Sequence, residues 1–444
     1  MKVVSVNYLF QTFLNNLAVK NRSEISKRYN EITKVLNQNF RNSTSETDNC
    51  FQIGSFGRNT AIDGISDLDM LYILPDEIKK DYCNDEEGPR KIFSRVRNAI
   101  IARYPRTKIR VDQCVLSISY TNFNIEVQPV FENTDGSFSY PDTYTKGWKI
   151  TKPRDEITAL NETDKLKNGV LKALCKITRA WKNKSGVVMG GLLIDTLAYN
   201  FLNSVDLYDS ATISDFPELC RNFFDFLSKE PEQNYYLALG SNQQVKVKKP
   251  FQKKSERALN MCIEALNAQN ENKQAQKWRD IFGRQFSKPS DVLKAENYSM
   301  DTGIYKHTED YIEDSYPVDI RYNLEIDCKV TQDGFRPDTL RNMLFRKIPL
   351  RACKDLLFYI IANDVPAPYE IKWKVLNRGE EAKKRNMIRG RIEADSGHET
   401  KKEHTDFMGN HIVECYIIKD NVVVARDFID VPITTNRNDS EVLK

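Results

Sequence analysis

The chain has 444 residues, enough for two or three domains, and 40% of them are apolar, so each domain can bury a core. The 66 basic and 62 acidic residues leave a net charge of +4, too small for a nucleic-acid coat protein, although a local basic groove stays open. No run of about 18 apolar residues and no amino-terminal signal pattern occurs, which predicts a cytoplasmic protein without a membrane span.

The cysteine and histidine patterns exclude several kinds of site. Nine cysteines are scattered without a C-x-x-C pair, so neither a zinc site nor a disulfide framework is indicated. All four histidines lie beyond residue 306, which excludes a Ser-His-Asp triad or a histidine-ligated metal from the amino-terminal part. Carboxylates with a metal ion are the main chemistry left for that part.

The amino-terminal part reads as two lobes of an α/β (α+β) fold. Residues 3–40 carry apolar residues at helical spacing, which predicts one or two helices. Strand and helix patterns then alternate up to residue 160, so we assign residues 1–160 to a first lobe. Residues 161–287 are mostly helical in pattern and form the second lobe.

The carboxyl-terminal part has a different pattern. Residues 288–315 are polar without apolar periodicity and are predicted to be a linker. Residues 316–435 alternate apolar and polar residues in several runs, which predicts a mainly antiparallel β-sandwich with one short helix at 337–346. Residues 436–444 are expected to be a tail.

Two short motifs in the first lobe point to chemistry. Gly54 and Ser55 form a turn that opens a short helix, where backbone N–H groups and a hydroxyl can hold phosphate. Asp67 and Asp69 lie two residues apart in an apolar run, so a strand would aim both carboxylates at one spot. Such a pair repels itself unless cations hold it, and Mg²⁺ is the natural ion. Metal and phosphate together indicate phosphoryl or nucleotidyl transfer.

This pattern resembles the nucleotidyltransferase superfamily typified by DNA polymerase beta. The resemblance implies a third carboxylate on a neighbouring strand, and the best candidate is Glu126 in the segment 123–130. The preceding segment 109–118 is predicted to pair with it as a hairpin. Aspartate is frequent in the family at this position, but glutamate also binds metal. Asp112 is the rival, in a weaker apolar frame.

Residues 147–153 and 176–182 resemble the bacterial cyclic oligonucleotide synthases, which are related to animal cyclic GMP-AMP synthase and oligoadenylate synthetase. Relatives often hold the triphosphate with a lysine two residues before a tryptophan, and Arg179 stands at that position here. The resemblance therefore implies phosphate contacts from Arg179 and Lys182, and the alternative is a solvated helix face. Arg58 either contacts phosphate or is simply exposed.

The segments 371–382, 388–390 and 404–416 resemble a C-terminal sensor domain that is fused to bacterial oligonucleotide synthetases. The resemblance implies a regulatory ligand of unknown chemistry, and a structural role is the alternative. Trp373 is interpreted as a core residue and His411 as a packed histidine. The basic cluster of this domain is interpreted as a charged strand face and contains Arg385, Arg389 and Arg391.

Taken with the motifs, the resemblance implies a template-independent nucleotidyltransferase that makes a cyclic oligonucleotide second messenger from ATP and other nucleoside triphosphates. Two Mg²⁺ ions, or Mn²⁺, would be held by Asp67, Asp69 and Glu126. The expected context is bacterial anti-phage (CBASS) signalling, in which the product activates a separate effector and no nucleic acid is required. The alternatives are a linear, oligoadenylate-like synthetase and a catalytically inactive nucleotide sensor.

Overall fold

The computed structural model describes residues 5–64, 67–121, 123–290, 309–332, 336–378, 380–385 and 390–434. The chain forms two compact units: unit 1 comprises residues 1–181 and 189–296, and unit 2 comprises residues 182–188 and 297–444. Most of the predicted linker and the predicted tail lie outside the described residues, as does Arg389. None of the described helices combines the length and apolar character that a membrane span needs.

A seven-stranded mixed sheet organises unit 1. Its path is β1-β2-β5-β4-β3, and β6 and β7 continue from β5. The strands are β1 (Cys50–Gln52), β2 (Asp67–Ile73), β3 (Lys108–Asp112), β4 (Val115–Ser119), β5 (Asn124–Glu132), β6 (Phe138–Asp142) and β7 (Gly147–Thr151). The central pair, β2 and β5, is parallel, whereas β4 and β5 are antiparallel. Parallel pairing places the ends of β2 and β5 at the same edge of the sheet.

Helices form the rest of unit 1, with one small hairpin. The helices are α1 (Val6–Asn16), α2 (Arg22–Arg41), α3 (Gly54–Gly57), α4 (Lys79–Cys83), α5 (Gly88–Arg103), α6 (Pro153–Leu166), α7 (Val170–Ser185), α8 (Gly191–Asn203), α9 (Phe216–Lys229), α10 (Gln252–Leu266) and α11 (Glu271–Phe282), and the hairpin is β8 (Tyr235–Leu237) with β9 (Gln244–Lys246). The end of α7, from residue 182, is part of unit 2.

The amino-terminal segment is two helices. Phe10 and Phe13 of α1 contact an aromatic group that includes Trp278 and Phe282 of α11, with ring centroids 5.1 Å apart for Phe10–Trp278. Helix α2 instead packs its apolar face into the core below the sheet. The sequence left one or two helices open, and the structure shows two. The break between them lets α1 pack against α11 and α2 pack in the core of the sheet.

The two faces of β2 pack against different apolar clusters. Leu68, Met70 and Tyr72 belong to the main core with α2 and α5. On the opposite face, Leu71 joins a small cluster with Val130 and Phe138. Shifting β2 by one residue would bury its aspartates and expose its apolar residues. Each lost core side chain would cost about 2–5 kcal/mol, so the main core fixes the register of β2.

One strand prediction needs correction. The segment 109–118 is two strands, because the chain reverses at Gln113, whose φ is +36°. Strands β3 and β4 pair antiparallel across that turn, and β4 then pairs with β5 as expected. The turn is held from the neighbouring hairpin, because Gln113 Nε2 donates to the buried Asp142 carboxylate at 3.2 Å.

Unit 2 is built from two sheets with the orders β11-β10-β13-β16 and β12-β18-β17-β14-β15. The strands are β10 (Leu324–Thr331), β11 (Asp338–Thr339), β12 (Leu350–Arg351), β13 (Asp355–Asn363), β14 (Glu370–Leu376), β15 (Ile392–Ala394), β16 (Thr400–His404), β17 (Gly409–Lys419) and β18 (Val422–Thr434), with helices α12 (Leu340–Phe345) and α13 (Glu380–Lys384). Both sheets contribute to one core, and its long strand pairs are antiparallel. The predicted β-sandwich is confirmed.

Two residues of unit 2 have the core positions that the sequence predicted. Trp373 is buried, and its indole Nε1 donates to Asp395 Oδ1 at 2.9 Å. His411 is buried between Phe407 and Arg378 N, which donates to its Nδ1 at 3.3 Å. Burial lowers the pKa of His411, so its ring is held in the neutral form. Both residues serve packing.

Candidate active site

Three carboxylates lie on the sheet face that is opposite the main core. In the parallel register of β2 and β5, Asp69 is paired with Glu126 and Asp67 with Asn124. Paired residues of adjacent strands point to the same side of a sheet, and strands lie about 4.8 Å apart. All three carboxylates are half-buried, because the apolar cluster on this face covers β2 only from Leu71 onward. The register thus places the three predicted carboxylates on one sheet face.

Asn124 is a neighbour that the sequence reasoning missed. Its Nδ2 donates to Asp67 Oδ1 at 2.9 Å, which fixes one carboxylate oxygen. The available signal was its spacing, because Asn124 lies two residues before Glu126 and therefore on the same strand face. An amide at this position orients Asp67 without adding a charge.

Gly54 is packed directly against Asp69. Its φ is +60°, a conformation that other residues rarely adopt, and a Cβ built on it would lie 1.8 Å from Asp69 Oδ2. The neighbouring Ile53 N donates to Asp69 O at 3.0 Å, so backbone and side chain both fix the turn against β2. The predicted turn therefore lies in contact with Asp69.

Helix α3 is shorter than a phosphate-binding helix usually is. It spans Gly54–Gly57, so few aligned peptides can add to a helix dipole. Ser55 lies in its first turn, and Ser55 O accepts hydrogen bonds from Thr60 N at 2.9 Å and Ala61 N at 3.1 Å. A phosphate contact would rest on the Ser55 hydroxyl and local N–H groups.

Arg58 differs from the exposed residue that was one of its two interpretations. The side chain is 4% exposed, and its Nε donates to Asp195 Oδ2 at 2.8 Å. Its Nη1 donates to Glu156 Oε2 at 3.2 Å. The exposed interpretation is wrong, because Arg58 is paired with two buried carboxylates. Contact with phosphate remains a prediction and would compete with these pairs.

Arg179 shares the same partner, so the solvated helix face is also wrong for this residue. Its Nη1 donates to Asp195 Oδ1 at 2.6 Å, and its Nη2 donates to Asp195 Oδ2 at 3.0 Å. Nη2 also donates to Gly191 O at 3.0 Å. This two-pronged pair is a strong form of ion pair. A role of Arg179 in holding triphosphate remains a prediction.

Lys182 belongs to unit 2, unlike the other predicted site residues. Its Nζ donates to Asp319 Oδ1 at 2.8 Å, and the next residue, Asn183, donates to Val318 O at 2.7 Å. Burial would raise the pKa of Asp319, but the charges of Lys182 and Arg321 outweigh it and hold that pKa below its usual range. The structure thus places Lys182 in an ion pair of unit 2.

Asp195 and Glu156 are two buried carboxylates that the sequence reasoning missed. Burial would raise the pKa of Asp195, yet the charges of Arg179 and Arg58 lower it to about 2. For Glu156, burial wins and raises the pKa, although Arg58 offsets part of the effect. The signal for Asp195 was a single carboxylate in the apolar helix α8, because a buried charge needs a partner.

The residues at Asp67, Asp69 and Glu126 fit a hard divalent cation in their chemistry, because all of their donor atoms are carboxylate oxygens. The glycine at position 54 leaves room for the Asp69 carboxylate itself, because a Cβ there would overlap Asp69 Oδ2. Among the residues that the structure describes, no group of three or more His, Cys, Asp or Glu side chains is gathered into a metal cluster. The fit therefore rests on donor chemistry.

Comparisons with known proteins identify two domains. Residues 1–164 match the Second Messenger Oligonucleotide or Dinucleotide Synthetase (SMODS) domain. Residues 306–434 match the Adenylyl/Guanylyl and SMODS C-terminal sensor domain. The chain is also similar to a cyclic AMP-AMP-AMP synthase of an Acinetobacter strain, with 22% identity over 278 residues that cover 58% of this chain and 78% of the relative.

Two solved structures are similar to this chain at a lower sequence identity. The CdnC–HORMA-deltaN complex of E. coli matches with a TM-score of 0.47 and 12% identity, over 63% of this chain and 97% of that chain. The di-nucleotide cyclase DncV of Vibrio cholerae matches with a TM-score of 0.46 and 13% identity, over 63% of this chain and 86% of that chain. The assignment of the two domains rests on the family models and not on these distant structures.

Proposed function

We propose that this chain, which carries a Second Messenger Oligonucleotide or Dinucleotide Synthetase domain and the associated C-terminal sensor domain, links nucleoside triphosphates into a cyclic oligonucleotide. ATP is the first substrate to test, because a relative is a cyclic AMP-AMP-AMP synthase. The observation that supports the proposal most is the parallel register that pairs Asp69 with Glu126, two residues from Asp67.

Asp67, Asp69 and Glu126 would hold Mg²⁺, or Mn²⁺ in its place. When bound, such ions lower the pKa of an attacking hydroxyl and neutralise the charge that develops on the leaving pyrophosphate. Asn124 keeps Asp67 oriented through its hydrogen bond to Oδ1. Glu126, on the neighbouring strand, would help to accept the proton of the attacking ribose hydroxyl.

Ser55 would hold the triphosphate with its hydroxyl and adjacent backbone N–H groups. Gly54 brings that turn to within contact of Asp69, so phosphate and carboxylates would share one site. Contacts of Arg58, Arg179 and Lys182 with phosphate are weaker proposals, because each of these side chains already has a carboxylate partner.

The biological context that we propose is bacterial anti-phage signalling, in which the product activates a separate effector. The sensor domain would bind a regulatory ligand. Regulation requires that this ligand bind two states of the enzyme with different affinities. Loss of phage protection in cells that carry Asp69→Asn would support this context, and full protection by that variant would contradict it.

The test of the enzymatic proposal is product analysis. The full-length protein is incubated with Mg²⁺ and radiolabelled nucleoside triphosphates, and the products are treated with phosphatase before chromatography and mass spectrometry. A cyclic product is unchanged by phosphatase, because it has no terminal phosphate to lose. Phosphatase-sensitive oligomers would instead indicate a linear synthetase, and nucleotide binding without pyrophosphate release would indicate an inactive sensor.

A further inference from the structure

We propose that Asp195 is a positioning residue of the synthetase: it holds the Gly54–Ser55 turn against Asp69 by binding the two residues that follow this turn, Arg58 and Thr60. The inference rests on the proposed function, since the turn is there assigned to the triphosphate. It adds a residue on α8, well separated in sequence from the turn and the carboxylates, to those that determine the geometry of the site.

Asp195 forms hydrogen bonds to the segment that follows the Gly54–Ser55 turn. One of its oxygens, Oδ2, accepts from Arg58 Nε at 2.8 Å and from Thr60 Oγ1 at 3.0 Å. Thr60 in turn donates from its backbone N to Ser55 O at 2.9 Å. A continuous series of hydrogen bonds therefore runs from the Asp195 carboxylate through Thr60 to Ser55.

The carboxylate itself is fixed from the other direction. Arg179 of α7 binds both of its oxygens and also donates to Cys175 O at 3.2 Å and Gly191 O at 3.0 Å. Asp195 and Thr60 are 0% exposed, and Arg58 and Arg179 are each 4% exposed. Charged hydrogen bonds at such low dielectric are strong and directional, so the turn is tied to a rigid pair of helices.

Small movements of this turn would be felt at the carboxylates. Gly54 is in direct contact with Asp69 Oδ2, and Ile53 N donates to Asp69 O, so a shift of the turn changes the space beside Asp69. A misplacement of about 1 Å can cost about a hundredfold in rate. Loss of Asp195 should therefore act on the site through the turn.

The first test measures the turn itself. In Asp195→Asn, hydrogen exchange should be faster at the amides of residues 57–61, whose hydrogen bonds end on Ile53, Gly54, Ser55 and Phe56. Asp142→Asn is the matched control, because Asp142 is also 0% exposed and ion-paired, with Lys149, but does not contact the turn. Equal exchange at residues 57–61 in the two variants would overturn the proposal.

The second test asks whether Asp195 acts through the turn in catalysis. Asp195→Asn should lower kcat/KM for ATP by about ten- to a hundredfold, and Ser55→Ala should show most of the same loss. If both changes affect one element, the double variant loses much less than the product of the single losses. Fully multiplicative losses would contradict a role through the turn, as would an unchanged kcat/KM in folded Asp195→Asn.

A folding failure of Asp195→Asn would not end the test. Thr60→Val removes one hydrogen bond to Asp195 and leaves both ion pairs in place, so faster exchange confined to residues 57–61 is still expected. The exchange measurement also separates the two proposals. Absence of any nucleotide product with altered exchange refutes the proposed function alone, whereas normal synthesis with unaltered exchange refutes the positioning role alone.

Discussion

Unit 1 contains two groups of carboxylates with opposite surroundings. Asp67, Asp69 and Glu126 are half-buried on one face of the sheet, in register with one another. Asp195 and Glu156 are buried and face the guanidinium groups of Arg58 and Arg179. Removing one partner of a buried ion pair is strongly destabilising, because the other charge is left uncompensated. The carboxylates that share one open sheet face offer oxygen donor atoms to a divalent cation from solution.

The largest effect should come from the open group. Asp69→Asn should lower synthesis by about a thousandfold, since metal ions supply several kcal/mol of transition-state stabilisation and each 1.4 kcal/mol is about tenfold. The folded structure should change little, because Asp69 is half-buried at the edge of its core. Quantified pyrophosphate release, beside a urea unfolding curve, measures both quantities. If Asp69→Asn kept its activity but lost stability, Asp69 would behave as a structural residue, and the distinction between the two carboxylate groups would be wrong.

For the buried group, the larger change should be in the free energy of unfolding. Asp195→Asn should lower the free energy of unfolding at pH 7 by about 3–5 kcal/mol, because two buried guanidinium groups lose their shared partner. The pKa of Asp195 is about 2, below the 3.8 of an unperturbed aspartate, so its stabilisation is present above about pH 4 and is lost as the pH falls through 2.

The difference between Asp195→Asn and the parent should therefore narrow as the pH falls from about 4 toward 2. Urea unfolding followed by circular dichroism at several pH values measures it. A difference that stays constant over this range would mean that the Asp195 charge does not provide the stabilisation.

Two glycines sharpen the comparison further. Gly54 and Gly64 both have positive φ, but a Cβ at Gly64 would meet nothing within 4 Å. Each Gly→Ala change should cost about 1–2 kcal/mol of stability from backbone strain. Only Gly54→Ala should also displace Asp69 and lower kcat, by about a hundredfold. Equal activities of the two variants would show that the contact with Asp69 is unimportant.

The smallest effect is expected at Asn124. Asn124→Ala removes the hydrogen bond to Asp67 Oδ1 and should lower kcat/KM by about tenfold, in line with the 1.5–3 kcal/mol of a bond to a charged group less what solvent restores. Raising the Mg²⁺ concentration should recover part of the loss if Asn124 orients a metal ligand. No recovery would indicate a different role for this amide.

The sequence predicted the open group well, because it lies on regular strands. Alternation fixed which residues of β2 and β5 face the core, and hence that Asp69 and Glu126 share the other face. The turn at Gln113 was missed, since a short polar interruption does not disturb an apolar alternation enough to be read as a reversal. The roles assigned to the three carboxylates remain predictions.

The buried group was beyond the same reasoning for a physical reason. Arg58 is far in sequence from both Arg179 and Asp195, and no spacing rule relates a residue that follows a turn to residues on two different helices. A solvated helix face and a buried ion pair leave the same sequence pattern around Arg179. Only the tertiary structure distinguishes the solvated face from the buried ion pair. An isolated aspartate in an apolar helix nevertheless indicates that a cationic side chain lies near it.

Unit 2 includes residues 182–188, which come from the middle of the chain, and Lys184 Nζ donates there to the buried Glu414 at 3.1 Å. Unit 2 is thus encoded by two separate stretches of the gene, and no single cut in the sequence separates the two units. Recombination that exchanged everything beyond residue 306 would supply a new sandwich but keep an old seven-residue segment, with Lys182 and Lys184 deprived of Asp319 and Glu414. Evolution of the sensor domain is therefore constrained by a segment encoded inside the synthetase.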